Sequence, residues 1–344
     1  MKIPPWKEGV LLVRFGTVGT NWITEAFIQS AMEVQDFELA AVYSRSQTKA
    51  AEFAGKFGGP KIFTDLEEMA KSDVIDAVYI ASPNSFHGEQ AILFMKNKKH
   101  VLCEKPIASN VKELKRMIKT AKENQVLLME ALKTSFLPNF QLIQDSLQRI
   151  GPIRRFFASY CQYSSRYDAY REGTVLNAFK PEFSNGALMD IGVYCIYPAV
   201  LLFGKPIKIK ANGFLLESGV DGQGSIILQY KDKEVVILFS KIANSLLPSE
   251  IQGEDGIIVI EQMNPPERVK VYDRNGVVED VSREQRAEPM YYEVQAFIEL
   301  IHKRKYESKV NSYEHSLMVM EILEEVRRQV GVIFPSDKKE VADN

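Results

Sequence analysis

Alternation between short apolar runs and helical patterns over residues 10–131 is the feature of this sequence that most constrains its fold. The apolar runs predict strands at residues 10–15, 37–43, 74–81, 100–103 and 126–130. Helical patterns lie between them, at residues 22–31, 50–57, 90–97 and 111–123. Such alternation produces βαβ units with right-handed crossovers, which place helices on both faces of a parallel sheet. The sequence therefore predicts a doubly wound α/β domain at its N-terminal end.

The pattern changes after residue 132. A helix is expected at 139–149, and strand-like runs follow at residues 153–163, 207–216, 225–230, 235–240 and 257–261. Turn residues at 231–233 and 274–276 favour an antiparallel sheet, and amphipathic helices are expected at 291–304 and 312–330. Because 344 residues exceed what one hydrophobic core usually organises, we expect two domains, residues 1–132 and 133–344, with a frayed polar tail after 336.

Composition excludes several classes of protein. The 43 basic and 45 acidic residues give a formal net charge of −2, which provides no electrostatic footprint for nucleic acid. No secretory signal is recognisable at the N-terminus, and the apolar runs are shorter than the ~20 residues that a membrane helix needs. Cys103, Cys161 and Cys195 form no disulfide framework and no C-x-x-C motif. We expect a soluble cytoplasmic protein with neither nucleic-acid nor membrane partners.

The sequence lacks the motifs that are typical of metal sites and of nucleophilic catalysis. His100, His302 and His315 show no metal-ligand spacing, so we expect no metal. The cysteines have no histidine partner in a recognisable motif, and the sequence contains no G-x-S-x-G elbow.

A glycine-bearing turn, Gly16 to Asn21, follows the first predicted strand and precedes a helix. In this position glycines let the backbone approach a pyrophosphate, and the helix N-terminus supplies N–H donors. Aligned with G-x-G-x-x-G, the stretch from Gly19 to Thr24 keeps only the first glycine; Asn21, in the second place, tolerates positive φ. By itself the motif is equally compatible with an ordinary strand-to-helix turn.

The end of the second predicted strand bears on the choice of nucleotide. An NAD site places an acidic residue there for the ribose 2′-hydroxyl, whereas this chain has Ser44-Arg45-Ser46, with Lys49 one turn later. The planar guanidinium of Arg45 suits a 2′-phosphate. NADP is therefore favoured over NAD, although a solvent-exposed arginine at a strand end remains an alternative reading.

Two further motifs carry chemistry. Glu104-Lys105-Pro106 directly follows the fourth predicted strand, where an open α/β sheet binds its ligands, so Lys105 is placed to reach a nicotinamide. Asp190 and Tyr194 are four residues apart, which on a helix puts both on one face. Taken alone, Asp190 could be a helix N-terminal residue and Tyr194 a core aromatic.

Together these motifs resemble the Gfo/Idh/MocA oxidoreductase family over nearly the whole chain. The matching stretches are the glycine turn, Ser82 to His87, Glu104 to Pro106, and Gly186 to Tyr194. Many members carry His at the position of Tyr194. Tyr is typical of the glucose–fructose oxidoreductase and dimeric dihydrodiol dehydrogenase branches, both associated with NADP.

The resemblance implies a Rossmann domain followed by an α/β domain with a large, open, mostly antiparallel sheet. It implies NAD(P)-dependent hydride transfer at a carbinol carbon of a sugar, polyol or cyclic diol. The catalytic residues would be Lys105, Asp190 and Tyr194, with Tyr194 as the acid/base, its pKa lowered by Lys105, and Asp190 holding the substrate hydroxyl. The cofactor would contact Gly16, Gly19, Thr20, Asn21, Trp22, Ile23, Ser44, Arg45, Lys49, Ser82, Pro83, Asn84, His87, Glu104 and Lys105. The alternative is a catalytically idle nucleotide-binding sensor on the same fold.

The substrate wall and the oligomeric state are less constrained. Arg166, Asn177 and Phe179, within residues 163–179, are candidates for the wall that faces the nicotinamide, and an ordinary surface loop is the alternative. An open sheet presents a broad face that usually needs covering, which favours a homodimer or homotetramer.

Overall fold

The computed structural model describes residues 12–338. Val10 and Leu11 of the first predicted strand therefore lie outside the described residues. The same holds for the N-terminal residues, for which no secretory signal was expected, and for the last six residues of the tail.

The first sheet is entirely parallel, as the sequence predicts. Its order is β3-β2-β1-β4-β5-β6, in which the strand order reverses between β1 and β4. The strands are β1 Val13–Val18, β2 Phe37–Tyr43, β3 Lys61–Phe63, β4 Ala77–Ile80, β5 His100–Glu104 and β6 Leu128–Ala131. Ligands of such sheets bind at the carboxyl ends of the strands near that reversal.

Five helices connect these strands, and side-chain caps start four of them. Asn21, Ser46, Asp65 and Asn110 each accept hydrogen bonds from the first turn of the helix that follows. The helices are α1 Trp22–Met32, α2 Gln47–Gly55, α3 Leu66–Lys71, α4 His87–Lys96 and α5 Val111–Asn124.

The second sheet is mixed but mostly antiparallel. Its order is β14-β13-β12-β11-β7-β10-β9-β8, and only the β7–β10 pair is parallel. The strands are β7 Ile153–Cys161, β8 Lys208–Leu215, β9 Asp221–Gln229, β10 Glu234–Ser240, β11 Ser249–Gly253, β12 Gly256–Ile260, β13 Val269–Asp273 and β14 Val278–Asp280. The remaining helices are α6 Pro138–Ser146, α7 Ser165–Arg171, α8 Val193–Phe203, α9 Tyr291–His302, α10 Tyr313–Val330 and α11 Pro335–Lys338.

Helices cover one face of the second sheet and leave the other face open. Residues that face α8 and α10, such as Phe156, Ile226 and Ile237, are buried. Ile227 lies on the opposite face and is 42% exposed. Helix α9 returns instead to the first domain, where Phe297 packs against Phe15.

One apolar segment among the described residues, Pro181–Phe203, is long and apolar enough to cross a membrane by length and composition. The expectation that no apolar run reaches this length was therefore wrong. The segment is mostly buried inside the second domain, because α8 packs between the sheet and α10. Its burial is that of a core helix.

Candidate active site

A cleft of about 860 Å³ opens at the carboxyl ends of β1, β2 and β4. Its volume is that of a pocket for a sizeable organic ligand. Of the fifteen predicted cofactor residues, those that line it are Gly19, Thr20, Asn21, Ser44, Arg45, Lys49, Ser82 and Pro83.

In the glycine turn, Gly19 has a positive φ but Asn21 does not adopt the positive φ that was expected as its reason for replacing a glycine. Gly19 has φ +116°, and a Cβ there would lie 3.0 Å from the Ala81 carbonyl oxygen, so the position requires glycine. Asn21, in contrast, has φ −92°. Its side-chain oxygen accepts hydrogen bonds from Ile23 N and Thr24 N, and its amide donates to Ala81 O at 3.0 Å. Asparagine replaces the second glycine as a helix cap that ties the turn to β4.

Three predicted cofactor residues near this turn do not line the cleft. Gly16 lies inside β1, where a Cβ would come within 2.2 Å of Met69 Cε, so its glycine serves core packing. Trp22 is 69% exposed, and the Ile23 N–H is already bonded to Asn21.

Asn84 and His87, from the Ser82 to His87 motif, also lie outside the cleft lining. The buried His87 ring contacts Pro106 O at 3.0 Å through Nδ1 and Ser82 O at 2.9 Å through Nε2. Asn84 donates to Ser184 O at 2.9 Å. His87 therefore joins the loops after β4 and β5, and Asn84 links the first domain to the segment before α8.

The three predicted catalytic residues come together beside the end of β5. Lys105 Nζ donates to Asp190 Oδ1 at 3.0 Å and to Asp190 O at 2.8 Å. The same ammonium lies 4.8 Å from the centre of the Tyr194 ring. The Asp190 side chain is 33% exposed.

Glu104 and Lys105 do not line the cleft either, but both belong to this cluster. The buried Glu104 carboxylate accepts from the Tyr79 hydroxyl and from the Lys105 backbone N–H. Glu104 therefore supports the strand end that presents Lys105, and its expected contact with the cofactor stays a prediction.

The segment that carries Asp190 begins as a π-helical turn, Leu188–Gly192, which continues into α8. Gly186 precedes it with φ +137°, and a Cβ there would lie 2.4 Å from Asp221 Oδ1. Asp221 Oδ2 accepts from Leu188 N at 2.6 Å. Glycine and the buried Asp221 together fix the start of the turn, so Asp190 and Tyr194 both reach Lys105.

Lys241, which follows β10, is the charged residue that the sequence reasoning missed. Its ammonium bonds Asp190 Oδ2, and its side chain is 5% exposed. It lies 5.3 Å from the centre of the ring of Phe179, a residue expected near the substrate. Arg166 and Asn177 are exposed. A lysine directly after the apolar run 235–240 was the available signal.

The electrostatics of the cluster correct one expectation. Burial disfavours the charged form of Asp190, but Lys105 and Lys241 outweigh it and hold its pKa well below the usual range. Burial also disfavours the Lys105 ammonium, yet Tyr194 and Asp190 raise its pKa overall. For Tyr194, burial raises the pKa above its ordinary value despite the opposing effect of Lys105. The lowered pKa expected for Tyr194 is therefore wrong in this structure.

Comparison with known proteins decides the family. Residues 13–132 match the oxidoreductase family with an NAD-binding Rossmann fold, and residues 141–259 match the GFO/IDH/MocA C-terminal domain. The chain belongs to the Gfo/Idh/MocA oxidoreductase family. The predictions of the family, of the Rossmann fold with a second open-sheet domain, and of an NAD(P)-dependent oxidoreductase are confirmed.

Individual relatives cover nearly the whole chain. The scyllo-inositol 2-dehydrogenase (NADP(+)) IolU of Bacillus subtilis is 57% identical over 95% of this chain and 100% of its own length. A trans-1,2-dihydrobenzene-1,2-diol dehydrogenase of Xenopus laevis is 33% identical over 94% of this chain and 100% of its own. A crystal structure of a 3-ketoreductase from Actinomadura kijaniata with NADP and TDP-benzene superposes with a TM-score of 0.83, at 23% identity, over 92% of this chain and 98% of that one. At that identity the superposition shows the shared fold.

Proposed function

We propose that this chain is an NADP-dependent dehydrogenase that oxidises a secondary hydroxyl of a cyclic polyol. The observation that carries the proposal is the joining of Lys105, Asp190 and Tyr194 beside the nucleotide cleft. A nucleotide-binding sensor has no need of a buried acid/base cluster, which favours the enzyme over the idle alternative.

The cleft residues fit a nicotinamide dinucleotide. Gly19 allows the tight turn to form, since its φ of +116° and the nearby Ala81 carbonyl disfavour a side chain there. The turn leads into the N-terminus of α1, whose backbone N–H groups would bind phosphate oxygens. Ser44, Arg45 and Lys49 line the part of the cleft after β2, where they would hold a 2′-phosphate. The NADP named for the relative that is 57% identical supports this preference.

The cluster supplies what alcohol oxidation requires of the protein. The bound nicotinamide supplies the hydride acceptor. Asp190 accepts a hydrogen bond from a substrate hydroxyl, and the Lys105 ammonium stabilises negative charge on the reacting oxygen. Tyr194 exchanges the proton with that oxygen: its phenolate accepts the proton in oxidation, and its hydroxyl donates it in reduction.

The relatives narrow the substrate to a class. Scyllo-inositol and dihydrobenzene-diol, named for two of them, are six-membered rings with hydroxyls on neighbouring carbons. We propose the same class for this chain, acting in the cytoplasm as a homo-oligomer assembled through the open sheet.

A substrate panel tests the proposal. Sugars, inositols and cyclic diols are offered with NAD and NADP in parallel, and reduced cofactor is followed by its ultraviolet absorbance. We expect turnover of a cyclic polyol with NADP. Cofactor binding without turnover across the panel would favour the sensor instead.

A further inference from the structure

Lys241 is an anchored, desolvated ammonium beside the acid/base cluster. Its backbone N–H donates to Gly222 O at 2.9 Å, which ties it to β9, and its side chain is 5% exposed. The ammonium bonds Asp190 Oδ2 and faces the Phe179 ring. Burying a lysine is costly unless its charge is paired.

An ion pair with Asp190 does not by itself explain why Lys241 is buried here, because Asp190 already forms an ion pair with Lys105. Lys105 occupies Asp190 Oδ1, while Lys241 occupies Asp190 Oδ2. The Glu104 carboxylate also interacts with the Lys105 ammonium.

Hydrogen-bonding capacity remains on the Lys241 side of the carboxylate. An ammonium group has three N–H donors. Lys241 donates one of them to Asp190, whereas Lys105 donates two, one to the carboxylate and one to the backbone carbonyl of Asp190. Each carboxylate oxygen also keeps capacity for another donor. Lys241 and Asp190 Oδ2 therefore form a donor–acceptor pair, which is what a hydroxyl group requires.

We propose that Lys241 and Asp190 Oδ2 together bind a hydroxyl on the carbon next to the one that is oxidised, and that Lys241 thereby determines substrate specificity. The inference rests on the proposed function, in which Lys105, bonded to Asp190 Oδ1, and Tyr194 act on the reacting hydroxyl. A carboxylate presents its two oxygens side by side, the arrangement that pairs with hydroxyls on neighbouring carbons. A site built to bond a hydroxyl discriminates against an analogue that lacks it.

The test compares trans-cyclohexane-1,2-diol with cyclohexanol, the same ring without the second hydroxyl. Both compounds are assayed with NADP as substrates and as competitive inhibitors of scyllo-inositol oxidation, so turnover of the small rings is not required. The variants are Lys241→Met and Lys241→Arg. The matched control is Lys233→Met, since Lys233 also pairs with an aspartate, Asp232, and lies 5.7 Å from the Phe203 ring.

Wild type and Lys233→Met should prefer the diol. In Lys241→Met, the affinity and kcat/KM for the diol should fall on the order of tenfold more than those for cyclohexanol, a difference of about 1.4 kcal/mol. Lys241→Arg should recover part of the preference, and thermal melting checks that each variant folds. An equal loss for both compounds, or an unchanged preference, overturns the inference alone. A folded wild type that oxidises no polyol overturns the proposed function and this inference with it.

Discussion

At the scale of single residues, the proposed preference for NADP is assigned to Arg45. It lines the cleft after β2, and a guanidinium there would bind the 2′-phosphate that distinguishes NADP from NAD. Arg45→Met should raise the NADP dissociation constant on the order of tenfold, about 1.4 kcal/mol, and leave that of NAD nearly unchanged. Fluorescence titration measures both constants. Lys61→Met on β3 is the control, and equal losses for the two nucleotides would contradict the assignment.

Tyr194 sets the expected pH dependence. Burial raises its pKa above the usual ~10, so the phenol stays protonated at neutral pH and loses its proton only as the pH rises through that elevated value. Ketone reduction, which uses the phenol as acid, should therefore change little between about pH 7 and 9. Polyol oxidation should keep rising over the same range, and Tyr194→Phe should abolish most of both rates.

Steady-state pH profiles in the two directions check this expectation. An oxidation profile that reaches its plateau below about pH 8 would mean that Tyr194 is ionised by a group outside this cluster or is not the base. Lys105→Met tests the coupling between Lys105 and Tyr194. Without the neighbouring ammonium, the rising part of the pH profile for oxidation should move to still higher pH.

The turn before α8 is the structural element on which the cluster depends. Asp221 holds the turn through Leu188 N, and burial raises the pKa of this carboxyl to about 6. The folded protein therefore retains the proton more strongly than the unfolded chain, so the free energy of unfolding falls as pH rises from about 4 to 6.

Asp221→Asn keeps an acceptor oxygen and removes the buried charge. It should raise the free energy of unfolding at pH 7 by roughly 1–3 kcal/mol and change it little near pH 4. Urea unfolding at the two pH values measures the difference, with the exposed Asp73→Asn as control. A loss of stability at pH 7 would show that the ionised carboxylate supports the turn.

Secondary-structure elements could be predicted where the local pattern of apolar residues determines them. Five strands of the first sheet and four of its five connecting helices follow from the apolar alternation. The strand β3 and the helix α3 after it were missed, because Lys61–Phe63 and Leu66–Lys71 are too short to show a period. Of the site, Lys105, Asp190 and Tyr194 were recognisable through motifs, and their proximity is now seen. Lys241 and Asp221 were missed, because they reach the cluster only through the pairing of distant strands, and the position of Lys241 after the run 235–240 was its one signal. The pKa of Tyr194 depends on burial, which spacing does not reveal.

At the scale of the whole molecule, the open sheet predicts association. Ile227 on β9, Val236 on β10 and Phe157 on β7 lie in register and form an incompletely buried apolar stripe. Such a stripe suits a second copy of the same chain. Ile227→Glu should reduce the molecular mass measured by sedimentation, whereas Ile333→Glu, at an exposed site outside the sheets, should not. A monomeric wild type would contradict this.

The domain boundary between residues 132 and 133 stays a prediction. Helix α9 is an exception to a simple division of the chain at this point. This helix follows the second sheet in sequence but packs on α1 and Phe15 of the first domain. Unfolding of the two domains should therefore be coupled through α9.

Hydride transfer from a ring carbon to NADP tests the central claim most directly. Scyllo-inositol with deuterium on its ring carbons is incubated with the enzyme and NADP, and the recovered cofactor is analysed by mass spectrometry. We predict reduced cofactor that carries one deuterium, formed by the wild type and lost in Tyr194→Phe and Lys105→Met. Recovery of the cofactor unreduced and unlabelled from the folded wild type would contradict the account.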